Sequence, residues 1–361
     1  MYFNLKLELK IEGFSLLLPH MKRWYLYPFS LGYHLGTSIR NRMYDWGIFS
    51  SSKFRTPIIG VGNLSVGGSG KSPMVMYLAD YLSRSFRTGV LSRGYGRITK
   101  GYGIVNYDSN YKLVGDEPMQ LFERFRNRFV IGVCEDRVFG AKKIIEDMDL
   151  DVLVLDDSYQ HRAIKPGMNL LLTDYNDPYF KDYILPAGDL RESRNGMSRA
   201  NIIMVTKCPD DLTEEKKQYY ISRIRPQHYQ KVFFSSIAYD ENILGLDKQM
   251  PVKNLDYYDV LVITGIANPS QLLKEISKYN KKVKHLQYKD HHNFTDDDIK
   301  KISAEYKKLG EYKVILTTEK DYVRLKTFDY LRDKIYYWPI NVEIDKREDF
   351  NKIIQNYVRK V

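Results

Sequence analysis

Apolar positions along the chain change period several times, and each change marks an element. From Pro28 onward, Leu31, Leu35, Ile39, Met43 and Trp46 recur at three- and four-residue steps, which predicts an amphipathic helix with Arg40, Asn41 and Arg42 beside its stripe. Short β-type runs follow at 57–62, 89–92, 129–133, 152–155, 170–173 and 202–206, with helical patterns between several of them. That alternation implies a parallel sheet covered on both faces. A second set, at 260–264, 283–288 and 314–317 with helical segments at 270–279 and 296–309, predicts a smaller α/β unit. The extended stretches 232–239 and 335–344 are expected to pair as a two-stranded ribbon where the chain leaves the first unit and returns. The segment 347–358 is expected to pack back on it as a helix.

Composition narrows the class. With 361 residues, 43% of them hydrophobic and 28% charged, the chain is a folded protein of about two domains. Cys134 and Cys208 are far apart and lack metal-ligand spacing, so neither a disulfide framework nor a structural zinc site is expected. The formal charge of +11 calls for an acidic partner or surface, and nucleic acid, anionic lipid and phosphorylated ligands all qualify. Placement helps to choose: between Met21 and Thr56 six basic residues face Asp45 alone, among Trp24, Tyr25, Tyr27, Phe29, Tyr33, Tyr44 and Trp46. Aromatic rings with basic residues suit a headgroup layer. An ordinary helix packed on the core is the alternative. No window approaches the roughly 18 apolar residues needed to span a bilayer. Residues 1–20, where Lys6, Glu8, Lys10 and Glu12 alternate with apolar positions, lack a signal-peptide cleavage site. They are expected to be a disordered extension or a misassigned start, with Met21 as the true beginning.

The run 57–62 leads into NLSVGGSGKSP. Gly67, Gly68 and Gly70 let the backbone around Ser69 turn so that its N–H groups face an anion, and Lys71 and Ser72 open a helix. Lys71 would neutralise the terminal phosphates of ATP, and the Ser72 hydroxyl would ligate Mg²⁺. The usual first glycine of such a loop is Ser65 here. A cradle of this kind predicts metal-holding carboxylates at the end of a second buried strand, and Asp156 and Asp157 stand there after 152–155. Adjacent carboxylates on a strand cannot both face inward, so one meets the metal and the other acts through water or at the bend.

At this point the sequence resembles the tetraacyldisaccharide 4'-kinases of lipid A synthesis. The resemblance runs from about Trp24 to Arg324 and rests on GNLSVGGSGKSP, LSRGYGR, VGDEPMQ, LDDSYQHR, LPAGDLRES, TGIANP, KDHHNF and TTEKDYVRL. It implies transfer of the γ-phosphoryl group of ATP to the 4'-hydroxyl of a tetraacyldisaccharide 1-phosphate. It also implies a peripheral enzyme on the cytoplasmic face of the bacterial inner membrane, held there by an N-terminal helix. Ser72 departs from the family's usual threonine, Ser158 and Tyr159 from Gly and Leu, and Ser193 from Pro.

The resemblance implies that Asp116 is the catalytic base and that it pairs with His291; His292 is the other candidate. Taken alone, Asp116 beside Pro118 reads as a turn or helix-cap carboxylate. The pairing implies closure between the two units during the cycle. Arg191 is placed to clamp a phosphate of ATP or of the lipid, with Glu192 beside it. Arg93, Arg137 and Tyr95 are secondary candidates for substrate contact.

Two rival readings remain at this level. A GTPase-like regulator is suggested by Thr206-Lys207 after a strand, but Pro209 stands where a base-reading aspartate belongs. A basic nucleic-acid-binding ATPase is suggested by the charge and 30 tyrosines. The early basic excess sits among interfacial aromatics instead, so neither nucleic acid nor an obligate protein partner is expected. The expected layout is an extension at 1–20, a membrane-interface helix region at 21–55 and a P-loop core of mostly parallel sheet at 56–230. A second α/β unit with ribbon linkers follows at 231–345, then a C-terminal helix at 346–361.

Overall fold

The computed structural model describes residues 23–360, so the extension expected at 1–20 lies outside the described residues. Two sheets organise them. Strands β1 (Ile58–Asn63), β2 (Thr88–Ser92), β3 (Gly103–Ile104), β4 (Val130–Val133), β5 (Val152–Leu155), β6 (Met168–Asp174), β7 (Ile202–Thr206) and β8 (Lys231–Tyr239) belong to the larger. The chain then builds β9 (Asn242–Gly245), β10 (Lys248–Pro251), β11 (Asp259–Thr264), β12 (Val283–Gln287), β13 (Lys313–Thr317) and β14 (Ile335–Tyr337) of the smaller sheet, and returns to the larger as β15 (Ile340–Ile344).

The larger sheet has the order β15-β8-β7-β6-β1-β5-β2-β4-β3, parallel except for its two edge strands. Strand β1 sits in the middle and is buried at all six positions, as a strand covered on both faces must be. Alternate side chains feed two apolar layers. On one face Ile59, Val61, Val90 and Val154 pack with Met74 and Leu78 of the helix Lys71–Ser83, Phe122 of the helix Asp116–Phe125 and Phe350 of the helix Arg347–Arg359. On the other, Leu153 and Leu155 meet Ala141 and Ile144 of the helix Arg137–Met148, while Leu171 and Ile203 meet Tyr220 of the helix Glu214–Ile224. The expected fold class, a mostly parallel sheet wrapped by helices with a smaller α/β unit attached, is the one observed.

The smaller sheet runs β10-β9-β14-β13-β11-β12, with β11 to β14 parallel and β9 and β10 forming an antiparallel edge. The ribbon forms between 340–344 and 235–239, but it is not free: β8 is hydrogen-bonded to β7, so the ribbon is the edge of the larger sheet. The expected strand 335–344 breaks at Trp338-Pro339. Asp240 N donates to Pro339 O at 3.0 Å and Trp338 Nε1 donates to Asp240 O at 2.7 Å, which pins the two chain crossings together.

The helix Tyr27–Asp45 lies outside both sheets, and no described helix is long and apolar enough to cross a membrane.

Candidate active site

The segment after β1 turns sharply through two left-handed glycines, Gly67 at φ 101° and Gly70 at φ 81°. Gly70 caps the helix Lys71–Ser83 without a side-chain acceptor, so the first-turn N–H groups stay available to an anion. Two neighbouring segments hold the loop in place. Thr206 at the end of β7 donates to Ser69 O at 2.9 Å, and Lys207 donates to Gly68 O. The loop 185–191 runs antiparallel to the rising arm, with Val66 N on Asp189 O and Arg191 N on Leu64 O, each at 2.7 Å.

That loop aims Arg191 at the charged centre. Lys71 Nζ donates to Asn63 Oδ1 at 3.1 Å and lies 3.6 Å from Asp157 Oδ1, while Arg191 Nη1 reaches both Asp157 oxygens at 3.1 Å. Burial alone would raise the Asp157 carboxyl, but Lys71 and Arg191 outweigh it and hold the group below its ordinary 3.8. Its neighbour behaves in the opposite way. Burial, then the carboxylates of Glu117 and Asp157, push Asp156 up to about 8. One adjacent carboxyl is thus kept charged and the other is kept protonated.

This asymmetry bears on the metal. Asp156 Oδ2 accepts from Ser92 Oγ at 3.1 Å, whereas Oδ1 is buried with no protein partner. Ser72 Oγ meanwhile donates to Glu117 Oε1 at 3.2 Å. An orphaned carboxylate oxygen, a hydroxyl and crowded negative charge fit a small hard dication. Among the described residues no group of three or more His, Cys, Asp or Glu forms a complete metal cage. That pattern suits Mg²⁺, which takes one or two carboxylates and completes its shell with water and phosphate oxygens.

The second half of the site comes from both sheets. Asp116 opens the helix Asp116–Phe125 after Gly115, whose φ is 95° and where a Cβ would sit tightly, 3.0 Å from the backbone of Gly94. The SRGYG and VGDEP segments therefore press together. His291, also left-handed at φ 56°, lies beyond β12 and brings Nδ1 to 3.3 Å from Asp116 Oδ2. The two groups already touch without any closing motion. Lys320 Nζ contacts His291 Nε2 at 2.9 Å, and Arg324 Nη2 lies 3.2 Å from Nδ1, the ring nitrogen that faces Asp116. Arg324 grips the same carboxylate, with Nε on Oδ1 at 2.8 Å and Nη2 on Oδ2. Burial works to raise the Asp116 carboxyl, but Arg324 and then His291 hold it down at about 2. His292 turns elsewhere: its Nε2 contacts Asp298 Oδ2 at 2.9 Å and its ring stacks on Tyr288.

The remaining candidates divide. Tyr95 is 75% exposed and presents its edge to the His291 ring at 6.3 Å, and Arg93 is exposed on the same loop. Arg137 is buried and donates to Cys134 O at 2.6 Å and Asp156 O at 3.0 Å, which makes it a brace beneath the carboxylates rather than a substrate contact. Glu192 is 1% exposed and accepts from Asn41, Gln160 and Arg199 at 2.8, 3.1 and 2.8 Å. Buried beneath these donors, it ties the N-terminal helix to the core and is closed off from substrate. Sequence reasoning missed Arg324, Lys320 and Glu117. The first two were signalled by their spacing, since residues four apart share a helix face.

The helix Tyr27–Asp45 borders this site. Tyr33 Oη donates to Arg191 O at 3.2 Å and Asn41 to Glu192, while Leu31 and Leu35 are 54% and 62% exposed. Its polar edge is bonded to the active-site loops and its apolar stripe faces outward.

A phosphate cradle at the middle strand of a parallel sheet, facing a carboxylate–imidazole pair, is the layout of a P-loop phosphotransferase. The model of the family described as tetraacyldisaccharide-1-P 4'-kinase matches residues 22–359. The tetraacyldisaccharide 4'-kinase of Flavobacterium johnsoniae is 40% identical over 343 residues, covering 94% of this chain and 98% of its own. That of Bacteroides thetaiotaomicron is 39% identical over 357 residues, covering 94% and 93%. Among solved structures, "apo" form LpxK from Aquifex aeolicus in complex with ATP superposes with a TM-score of 0.75 at 29% identity, covering 93% of this chain and 99% of that one. The chain belongs to the tetraacyldisaccharide-1-P 4'-kinase family.

Proposed function

We propose that the chain transfers the γ-phosphoryl group of ATP to the 4'-hydroxyl of a tetraacyldisaccharide 1-phosphate, in the synthesis of lipid A. The glycine loop and the N–H groups opening the helix Lys71–Ser83 bind the phosphates, and Lys71 offsets charge on the oxygens that gain it during transfer. Arg191, held on Asp157 from the loop 185–191, is the candidate clamp for a phosphate. Ser72, Asp156 and Asp157 would hold Mg²⁺, which when bound neutralises phosphate charge. Asp116, kept ionised, takes the proton of the sugar hydroxyl as the new P–O bond forms, and His291 steadies the carboxylate through Nδ1. The observation that carries this reading is adjacency: Asp116 reaches His291 at 3.3 Å while the next residue, Glu117, meets the Ser72 hydroxyl at 3.2 Å. Asp116 is therefore next in the chain to a residue that contacts Ser72 of the phosphate cradle.

The outward apolar stripe of the helix Tyr27–Asp45 supports a peripheral seat on the cytoplasmic leaflet of the inner membrane, where the acyl chains of the substrate lie. The test is transfer of labelled γ-phosphate, with Mg²⁺, to detergent-dispersed disaccharide 1-phosphate. Asp116→Ala is expected to slow turnover by about 10²–10⁴-fold, the usual worth of a positioned base, and Lys71→Ala to abolish measurable transfer. Transfer at the parental rate in both variants would reject this site.

A further inference from the structure

Two helices from different sheets face each other with mirrored chemistry. The helix Asp116–Phe125 carries an acid in its first turn, Asp116, and an arginine in its last, Arg124. The helix Glu319–Leu325 repeats the order with Glu319 and Arg324. Each arginine grips the acid of the other helix. Arg124 Nη1 donates to both Glu319 oxygens at 3.2 Å and to Ile340 O at 2.7 Å, and Arg324 closes on Asp116 at the far end. Side-chain exposure is 15% and 4% in the first pair and 4% and 12% in the second. Burial pushes the Glu319 carboxyl above its ordinary value while Arg124 works to hold it down, so that acid depends on its contact with Arg124.

We propose that Arg324 is the positioning residue of the Asp116–His291 pair, and that the Arg124–Glu319 contact sets its place from the other end of the helix pair. An ionised carboxylate offers about four lone-pair directions. The guanidinium takes one on each oxygen, with Nε at 2.8 Å from Oδ1 and Nη2 on Oδ2, and so fixes the plane of the carboxylate. His291 takes a third. One direction remains, and it is left for the sugar hydroxyl. Arg324 also fixes the loop that brings the imidazole, since Nη1 donates to His292 O at 2.9 Å. A lysine cannot do the same work: an ammonium on a flexible stem holds one point and leaves the carboxylate free to rotate.

This inference rests on the kinase reading, so the experiment separates the two. Parent, Arg324→Lys, Arg324→Gln, Asp116→Asn and the Asp116→Asn/Arg324→Gln double variant are compared for kcat, for KM of ATP and for urea unfolding. Arg324→Gln is expected to lower kcat by about 10²-fold or more while KM for ATP stays within about twofold, because the phosphate cradle is untouched. Arg324→Lys is expected to recover part of that loss. The double variant is expected to be no slower than Asp116→Asn, since Arg324 acts through Asp116. Parental kcat in Arg324→Lys or Arg324→Gln overturns the proposal, as does a double variant slowed by the product of the two single effects. If Arg324→Gln does not fold, Arg324→Lys and the double variant, which buries no unpaired carboxylate, decide it. Absence of transfer by the parent rejects the kinase reading alone; the grip is then judged by unfolding, where additive effects of Asp116→Asn and Arg324→Gln would overturn it.

Discussion

Asp156→Asn should change how the stability of the metal-free protein depends on pH. In the folded chain the Asp156 carboxyl sits at about 8, against an ordinary 3.8, because it is wholly buried and faces the carboxylates of Glu117 and Asp157. Between those two values the folded protein keeps a proton that the unfolded chain has released. Stability from this group is therefore fully present below about 3.8 and is lost as pH rises through about 8. The slope is that of one proton, about 1.4 kcal/mol per pH unit. From about pH 5 to about pH 7 the parent should lose about 3 kcal/mol relative to the Asn variant, which has no proton to give up. A domain has only about 5–15 kcal/mol in total, so the effect is readily measured.

The assay is urea unfolding of both proteins across that range, in a chelator and again in Mg²⁺. The comparison cancels titrating groups that do not face Asp156, including His161, which burial and nearby arginines hold down at about 4. Chelated parent should slope downward with pH relative to the variant, and Mg²⁺ should remove that difference by taking the place of the proton. Parallel slopes in the chelator would refute the reasoning, because Asp156 would then be ionised without help. A slope that Mg²⁺ leaves unchanged would remove Asp156 from the metal site.

Two further outcomes are expected. A Cβ at Gly62 would lie 2.6 Å from Tyr159 Cβ and 2.9 Å from its backbone nitrogen, so Gly62→Ala should cost about 1–3 kcal/mol in thermal unfolding and weaken ATP binding by displacing the strand that carries the cradle. Tyr159→Ala keeps the offending atoms and should not rescue it. Leu31→Glu with Leu35→Glu should reduce flotation with anionic vesicles by about tenfold or more, each apolar side chain being worth about 1.5–3 kcal/mol when buried, while unfolding stays parental. Unchanged flotation would count against the membrane seat.

What could be read in the sequence was whatever is encoded locally. Strand β1 announces itself by continuous burial, and the cradle by glycines that must turn, so both were legible from a few adjacent residues. Neighbours in a loop were harder. Arg191 and Glu192 share a segment, yet one side chain reaches Asp157 and the other turns inward to Asn41, Gln160 and Arg199. Nothing in their order says which faces the site. Asp116 does open a helix, as its local sequence suggests, but its chemistry depends on Arg324 and His291, each more than a hundred residues away. Tyr159, a departure from the family pattern, is accommodated by burial: its hydroxyl donates to Gly196 O at 2.8 Å and Arg199 covers its ring.

The same geometry bears on how the Asp116–His291 contact, shared between two sheets, keeps its place. Arg124 binds Ile340 O, at the point where the chain crosses back to the larger sheet, while Asp116 lies eight residues earlier on the same helix. At about 1.5 Å per residue the two ends are about 12 Å apart. A rotation of about 5° about the crossing would move the Asp116 end by about 1 Å relative to Arg324, enough to spoil a hydrogen bond of 2.8 Å. Misplacement on that scale costs about 10²-fold in rate. Buried ion pairs are poor sources of stability, and here one of the two held ends is the proposed base, Asp116. Loosening the remote pair, by Glu319→Gln for instance, should therefore lower kcat through a contact that never meets substrate.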